Sequence, residues 1–287
     1  MSKTILITGA SSGFGEVTAR LFASRGWNVA ATMRRPEAGD ALARLPNLFV
    51  TKLDVEDAAS IDAAVATSIE RFGHIDVVVN NAGFGLMGVF ETTPREKVRE
   101  QFEVNLFGAM EVIRAILPHL RANRSGVIVN VSSGAGAFAL PLISLYTATK
   151  FALEGFSESL SYELADLGIQ VKIVEPGGVT STRFVQRSGS EAALLDGLSD
   201  YLPFLQGANR VFQDLAKARA GATSEEVAEV IFRAATDGTD QLRYVATEDI
   251  KPMIAMRRET SEAEYMAYMR GRFAPPSRLL QEIHPVA

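Results

Sequence analysis

Short β-branched runs alternate with helical patterns over the first two-thirds of the chain. Lys3–Thr8 reads as a strand and Glu16–Arg25 as a helix, with Gly26 at the C-terminal cap position. Further strand patterns lie at Asn28–Thr32, Leu48–Leu53, Ile75–Asn80, Val127–Ser132 and Ile169–Glu175. Helical patterns separate them at roughly Glu56–Phe72, Arg95–Arg121 and Ser144–Leu167. The Leu48 run mixes in polar residues, whereas the Ile75 and Val127 runs are nearly all apolar, as strands buried on both faces are. Thr93-Pro-Arg-Glu96 reads as a capping box with proline at the first helical position. Thr223-Ser-Glu-Glu226 marks another helix start before Val227–Ala235, and Leu242–Thr247 is a candidate last strand. The alternation predicts an α/β fold, one doubly wound parallel sheet flanked by helices, in a single domain over 1–287. Arg183–Ala222 breaks the rhythm: it is rich in Leu, Phe, Ala and Gly, and reads as a helical insertion placed to act as a lid. Ile250–Ala287 is a helix-prone C-terminal extension carrying Pro275-Pro276.

Composition narrows the function. The 287 residues suffice for one large core, and a net charge of −5 leaves no basic footprint for nucleic acid. Absence of cysteine excludes disulfides, thiolate metal sites and thiol catalysis. The three histidines (His74, His119 and His284) show no ligand spacing, so no metal site is expected. The N-terminus runs into a strand pattern without a signal-peptide core, and no apolar run reaches the ~18 residues of a membrane span. The expectation is a soluble, cytoplasmic protein without a membrane span.

Chemistry concentrates in two stretches. In Ser144-Leu-Tyr-Thr-Ala-Thr-Lys150, a four-residue helical step stacks Tyr146 and Lys150 on one face. A free phenol titrates near ~10, and a neighbouring ammonium would lower that value and make the tyrosine a usable proton-transfer group. After the first strand, Thr8-Gly-Ala-Ser-Ser-Gly-Phe-Gly15 opens the first helix. Its glycines permit a tight turn and close approach to a phosphate, and the helix N-terminus supplies N–H groups and a positive dipole. Gly9-Ala-Ser-Ser-Gly13 also fits the Gly-x-Ser-x-Gly elbow of serine hydrolases. That elbow normally follows several strands, however, and only His284 could complete a late triad.

Four separated motifs occur in order: Thr8-Gly-x-x-x-Gly-x-Gly15, Asn80-Asn-Ala-Gly83, Ser133, and Tyr146-x-x-x-Lys150. Over roughly Lys3 to Thr247 the chain resembles the short-chain dehydrogenase/reductase family, which implies a Rossmann-type sheet and a nicotinamide cofactor. The thirteen-residue step from Ser133 to Tyr146 is the family's usual one and favours Ser133 over Ser132. The resemblance implies that Tyr146 exchanges the substrate proton and that Ser133 hydrogen-bonds the carbonyl oxygen. It implies that Lys150 lowers the phenol's pKa and holds the nicotinamide ribose, and that Asn105 completes the catalytic set by anchoring a water. Asn105 could instead simply bond backbone; Asn130, Ser132 and Thr149 read as sheet or helix neighbours.

By the same resemblance Gly9, Ser11, Ser12, Gly13, Phe14 and Gly15 hold the pyrophosphate, and Asp54 and Val55 meet the adenine. Asn81, Ala82, Gly83, Tyr146, Lys150, Pro176, Gly177, Val179 and Ser181 complete the cofactor site. Where NAD-selecting relatives carry an acid after the second strand, this chain has Met33-Arg34-Arg35. Arg34 or Arg35 could pair with a 2′-phosphate, so NADP(H) is favoured over NAD(H), although Ser12 stands where many NADP-preferring members place a base. Ser181, flanked by Thr180 and Thr182, takes the family threonine's place. Candidate pocket residues are Phe84, Leu86, Phe138, Leu140, Ile143, Phe184, Tyr201 and Phe204. Their apolar character points to a small-molecule substrate that is a bulky hydrophobic alcohol or ketone. The long insertion and extended C-terminus resemble family members acting on steroids, retinoids or hydrophobic aryl ketones. The resemblance also implies a homodimer or homotetramer paired through Arg95–Arg121 and Tyr146–Leu167. Two other readings stay open: an NADP-binding sensor, which would be expected to lose Tyr146 or Lys150, and a hydrolase using Ser11.

Overall fold

The computed structural model describes residues 2–179, 199–218 and 222–273. Strands β1 (Thr4–Ile7), β2 (Asn28–Met33), β3 (Leu48–Lys52), β4 (Val77–Asn80), β5 (Gly126–Val131), β6 (Ile169–Glu175) and β7 (Arg243–Val245) form one sheet. Its order is β3-β2-β1-β4-β5-β6-β7, and every paired neighbour runs parallel. The order reverses between β1 and β4, which opens a crevice at the carboxyl ends of these strands.

Both sheet faces are covered, which explains the uninterrupted apolar runs. Ile5, Ile7, Val29, Val77 and Val79 face one core with α1 (Gly13–Ser24), into which Phe22 and Trp27 pack at 5.1 Å between ring centroids. The alternate residues Leu6, Ala30, Val78 and Ile128 face a second core against α3 (Ala58–Phe72), α5 (Gly108–Asn123) and α6 (Ser144–Leu164). The polar residues of β3 are accounted for by its place at the sheet edge. Helix α2 (Asp40–Ala43) is a single turn absent from the sequence pattern.

Two local expectations are corrected. The pattern over Arg95–Arg121 is interrupted: α4 (Arg95–Phe102) passes through a π turn at Glu103–Phe107 before α5 begins. That extra residue per turn points Asn105 inward, a register that a 3.6-residue period does not show. The Thr93-Pro-Arg-Glu96 capping box does not form: Pro94 is the cap residue, and the Thr93 hydroxyl donates instead to the Val89 carbonyl at 3.2 Å.

The chain beyond β6 covers the crevice. Helix α7 (Leu202–Ala218) occupies the described part of the expected insertion. Helices α8 (Ser224–Thr236), α9 (Lys251–Glu259) and α10 (Glu262–Phe273) follow. A third apolar cluster joins Phe138 and Leu140 to Ile250, Met253, Tyr265 and Phe273. Residues 183–198, including Phe184, and 274–287 lie outside the described residues, as does Ser181.

The second capping box does form. Thr223 Oγ1 accepts from the Glu226 N–H at 3.2 Å, and the Glu226 carboxylate accepts from the Thr223 N–H at 3.1 Å. Thr223→Ala should therefore cost about 1 kcal/mol, read as a lower urea midpoint, and Thr223→Ser should restore most of it.

Candidate active site

The crevice is a cleft of about 530 Å³. One end is built by the turn between β1 and α1. There Gly9, at φ +68°, lies so close to the segment after β4 that a Cβ would stand 2.9 Å from Ala82 Cα. Gly15 lies beneath the turn and does not line the cleft; a Cβ there would meet the Gly9 carbonyl oxygen at 2.4 Å. Thr8 locks the two segments together, its Oγ1 accepting from the N–H groups of Asn81 and Ala82, both at 3.0 Å. Asn81 answers by donating through Nδ2 to the Thr8 carbonyl at 2.9 Å.

Ser11, Ser12, Gly13, Phe14, Arg34, Arg35, Asp54, Val55, Asn81, Ala82, Gly83, Pro176, Gly177 and Val179 all line this cleft. The cradle fits an extended phosphate-bearing dinucleotide: glycine at the tight approach, a helix N-terminus behind it, and two exposed arginines at the far end. Glu56, which the sequence reading passed over, shares that end; burial and Asp54 push its carboxyl upward against the pull of Arg34. The Pro176–Val179 segment is held from behind. Gly177 N–H donates to Thr247 Oγ1 at 2.9 Å, and Gly178 N–H to an Asp249 oxygen at 3.3 Å.

Ser133, Tyr146 and Lys150 converge at the middle of the cleft. Ser133 follows β5, while Tyr146 and Lys150 stack one turn apart on α6, only 8% and 5% exposed. Burial pushes the Tyr146 phenol up to about 12, opposed by its hydrogen bond with Ser133. Burial lowers the Lys150 ammonium to about 8, partly offset by the Glu154 charge. Lys150 Nζ donates to the Val131 carbonyl at 2.8 Å and sits 5.7 Å from the Tyr146 ring centroid. In the protein alone, desolvation thus outweighs the expected depression of the phenol by the lysine.

Asn105 sits behind the cleft wall rather than in it. Its Oδ1 accepts from the Phe84 N–H at 3.0 Å, its Nδ2 donates to the Phe84 carbonyl at 2.8 Å, and Nδ2 also reaches Thr149 Oγ1 at 3.3 Å. Gln101, one turn earlier, takes the Leu86 N–H at 3.1 Å. These two buried amides fix the Gly83–Leu86 segment. Asn130 is a sheet neighbour as expected, bonded to Asn80 and Ser157, both at 2.8 Å.

Of the expected pocket residues, Phe84, Phe138, Leu140 and Ile143 line the cleft. Leu86 does not: it is turned into a separate small void beside Leu142 and Leu145. Tyr201 is also outside, because its hydroxyl finds the surface carboxylate of Glu91 at 2.9 Å. Phe204 lies about 80° around α7 from Phe212, and it is Phe212 that enters the cleft wall. Met87, Val104 and Ile250 join it, none carrying a sequence signal beyond apolarity. Ser11 has no histidine near it among the described residues: His74 and His119 gather at Ile75 and Asp76, at the opposite end of β4.

A short chain dehydrogenase family model matches residues 3–193. The chain belongs to the short-chain dehydrogenase/reductase family. As a member of that family it is an oxidoreductase acting on CH–OH groups with a nicotinamide cofactor. It is 35% identical over 274 residues to human 17-beta-hydroxysteroid dehydrogenase type 1, covering 90% of this chain and 81% of that protein. It is 33% identical over 277 residues to bovine (Bos taurus) retinol dehydrogenase 8, covering 89% and 85%. Among solved structures, a short-chain dehydrogenase from Streptomyces avermitilis superposes with a TM-score of 0.77 at 31% identity, over 99% of both chains. Two others differ in ligand. ElxO with NADP bound scores 0.71 at 26% identity over 86% of this chain and 97% of that one. A Burkholderia phymatum member with NAD scores 0.76 at 25% identity over 90% and 93%. No described helix of this dehydrogenase/reductase is long and apolar enough to cross a membrane.

Removing the Asn105 amide tests how the site is braced. Asn105→Ala removes one hydrogen bond from the N–H of buried Phe84 and one of the two on its carbonyl, which keeps Gln101 Nε2 at 2.6 Å. A loss of about 1–3 kcal/mol in urea unfolding is expected, with faster amide exchange across residues 83–86.

Proposed function

We propose that this enzyme is an NADP(H)-preferring ketoreductase or alcohol dehydrogenase acting on a bulky hydrophobic secondary alcohol or its ketone. The observation that carries the reading is the opening of the Ser133, Tyr146 and Lys150 cluster into a cleft walled by Phe84, Met87, Phe138, Leu140, Phe212 and Ile250. A carbonyl seated against that wall has one polar place for its oxygen, between the Ser133 and Tyr146 hydroxyls. The names of the hydroxysteroid and retinol relatives support a substrate of this class.

The cofactor, when bound, supplies or accepts the hydride at the substrate carbon. The chain does the rest. In the reducing direction Tyr146 gives its hydroxyl proton to the oxygen as the C–H bond forms, and in the oxidising direction it takes the proton back. Ser133 donates a hydrogen bond to the oxygen and stabilises the charge that develops there. Lys150 holds the ribose and adds a positive charge beside the phenol. Asn105 acts through Phe84, fixing one wall. The turn from Gly9 to Phe14 holds the pyrophosphate, Asp54 and Val55 the adenine, and Pro176, Gly177 and Val179 the carboxamide. Arg34 and Arg35, exposed at the end of β2, would grip a 2′-phosphate in the bidentate fashion open to guanidinium. Solved relatives carry both NADP and NAD, so the arginine pair is the support for NADP. Phe107, Phe151 and Tyr162, exposed on the π turn and α6, support pairing of two or four copies through these elements.

The test is oxidation of NADPH and NADH with a panel of hydrophobic ketones. Tyr146→Phe should lose at least ~10²-fold in turnover while still binding NADPH. Arg34→Ala with Arg35→Ala should weaken NADPH binding about tenfold or more and leave NADH binding unchanged. Preference for NADH in the unaltered protein would overturn the cofactor reading. Turnover retained in Tyr146→Phe would overturn the mechanism.

A further inference from the structure

The inner face of α6 continues beyond the residues already used. One turn past Lys150 comes Glu154, only 5% exposed, on the same helix face as Tyr146 and Lys150. Its Oε2 accepts from Arg243 Nε at 2.8 Å, and the same guanidinium reaches Glu158 at 2.6 Å toward the surface. Its Oε1 is buried facing the Ser132 hydroxyl, whose hydrogen bond favours the ionised carboxylate. Both atoms crowd Gly136, where a Cβ would stand 2.5 Å from Ser132 Oγ and 3.1 Å from Glu154 Oε1. A carboxylate is costly to bury, and Arg243 reaches only its Oε2.

We propose that Glu154 is a positioning residue that acts through Lys150, serving as the buried counter-charge that keeps the ammonium protonated at neutral pH. This rests on the function proposed above. The ionisable groups around the pair are few. Tyr146 and Glu154 flank Lys150 on α6. The neighbouring segments offer it the Val131 carbonyl, and Gly83 lies between it and the neutral Asn105 side chain. Around Glu154 stand Arg243 from β7 and Glu175 from β6, the latter paired with Arg258 of α9. Glu154 is the anion that raises the lysine against its burial; burial and Glu175 in turn push the Glu154 carboxyl upward, opposed by Ser132 and Arg243. The order along the face is therefore a neutral phenol, then ammonium, carboxylate and guanidinium, the last three alternating in sign toward the surface.

The test reads Lys150 directly in the cofactor-free protein. Lysine labelled with 13C at Cε, with the Lys150 resonance identified by its loss in Lys150→Arg, is titrated with pH in the unaltered protein and in Glu154→Gln. The glutamine keeps the shape and can still accept from Arg243. The expected result is a Lys150 midpoint lower by about one unit or more, the range one opposing charge a few ångströms away produces. The alkaline limb of kcat/KM should move down by the same interval. An unchanged midpoint overturns the proposal and leaves Glu154 a purely structural partner of Arg243. If Glu154→Gln does not fold, Arg243→Gln gives the same decision, because the unpaired Glu154 carboxyl then takes up a proton and the lysine midpoint falls. Absence of ketone turnover in the unaltered protein would sink the proposed function without touching this titration.

Discussion

The organisation of the site depends on one constraint, the sealing of a polar helix face against the end of a buried strand. Along α6, Tyr146, Thr149, Lys150, Glu154 and Ser157 all turn inward, and every one is buried. Each needs a partner in the fold, because an unpaired polar group in this setting costs more than a bond contributes. Thr149 returns to the Tyr146 carbonyl, Ser157 to the Leu153 carbonyl and to Asn130, and Lys150 to the Val131 carbonyl. The helix is thereby held in register with β5, and that register brings Ser133 to Tyr146.

The same sealing sets the electrostatics. In water the phenol and the ammonium would titrate close together; in the cleft, burial drives them in opposite directions, to about 12 and about 8. Both shifts favour neutral forms. On the proposed mechanism, a phenol held that high stays protonated at neutral pH. It gives its proton to the still stronger base that a reduced carbonyl oxygen becomes, while almost no phenolate is present to act as base. For the oxidising direction the phenolate needs further positive charge in the cleft, and the oxidised nicotinamide ring carries one. On the proposed function, the direction-dependent part of the chemistry would be supplied by ligand charge, with the protein providing a dry, fixed frame.

Much of this was legible in the residues, and the parts that were not share a cause. Strand β6 matches its expected bounds residue for residue, and the apolar runs announced strands buried on both faces. The glycine turn and the Tyr146, Lys150 step are local patterns, and the structure places both in the cleft wall. The inward register of Asn105 was hidden because a π turn breaks the helical period that a sequence reading assumes. Phe212 and Ile250 reach the cleft from elements that follow β6, where apolarity alone does not distinguish a pocket wall from a core. Tyr201 and Leu86 failed as pocket residues for the converse reason: each has a nearer partner, Glu91 for the hydroxyl and a small void for the isobutyl group. Local periodicity predicts which face is buried, and only tertiary packing decides against what.

The most direct measurement is the ultraviolet titration of Tyr146, taken as the difference between the unaltered protein and Tyr146→Phe, without ligand and with saturating NADP⁺. The account predicts phenolate absorbance from Tyr146 only near pH 12 in the free protein, and at clearly lower pH once the positive ring is bound. A phenol that titrates at or below the ordinary ~10 in the free protein would contradict the claim that burial governs the site. A midpoint unmoved by NADP⁺ would contradict the claim that ligand charge completes it.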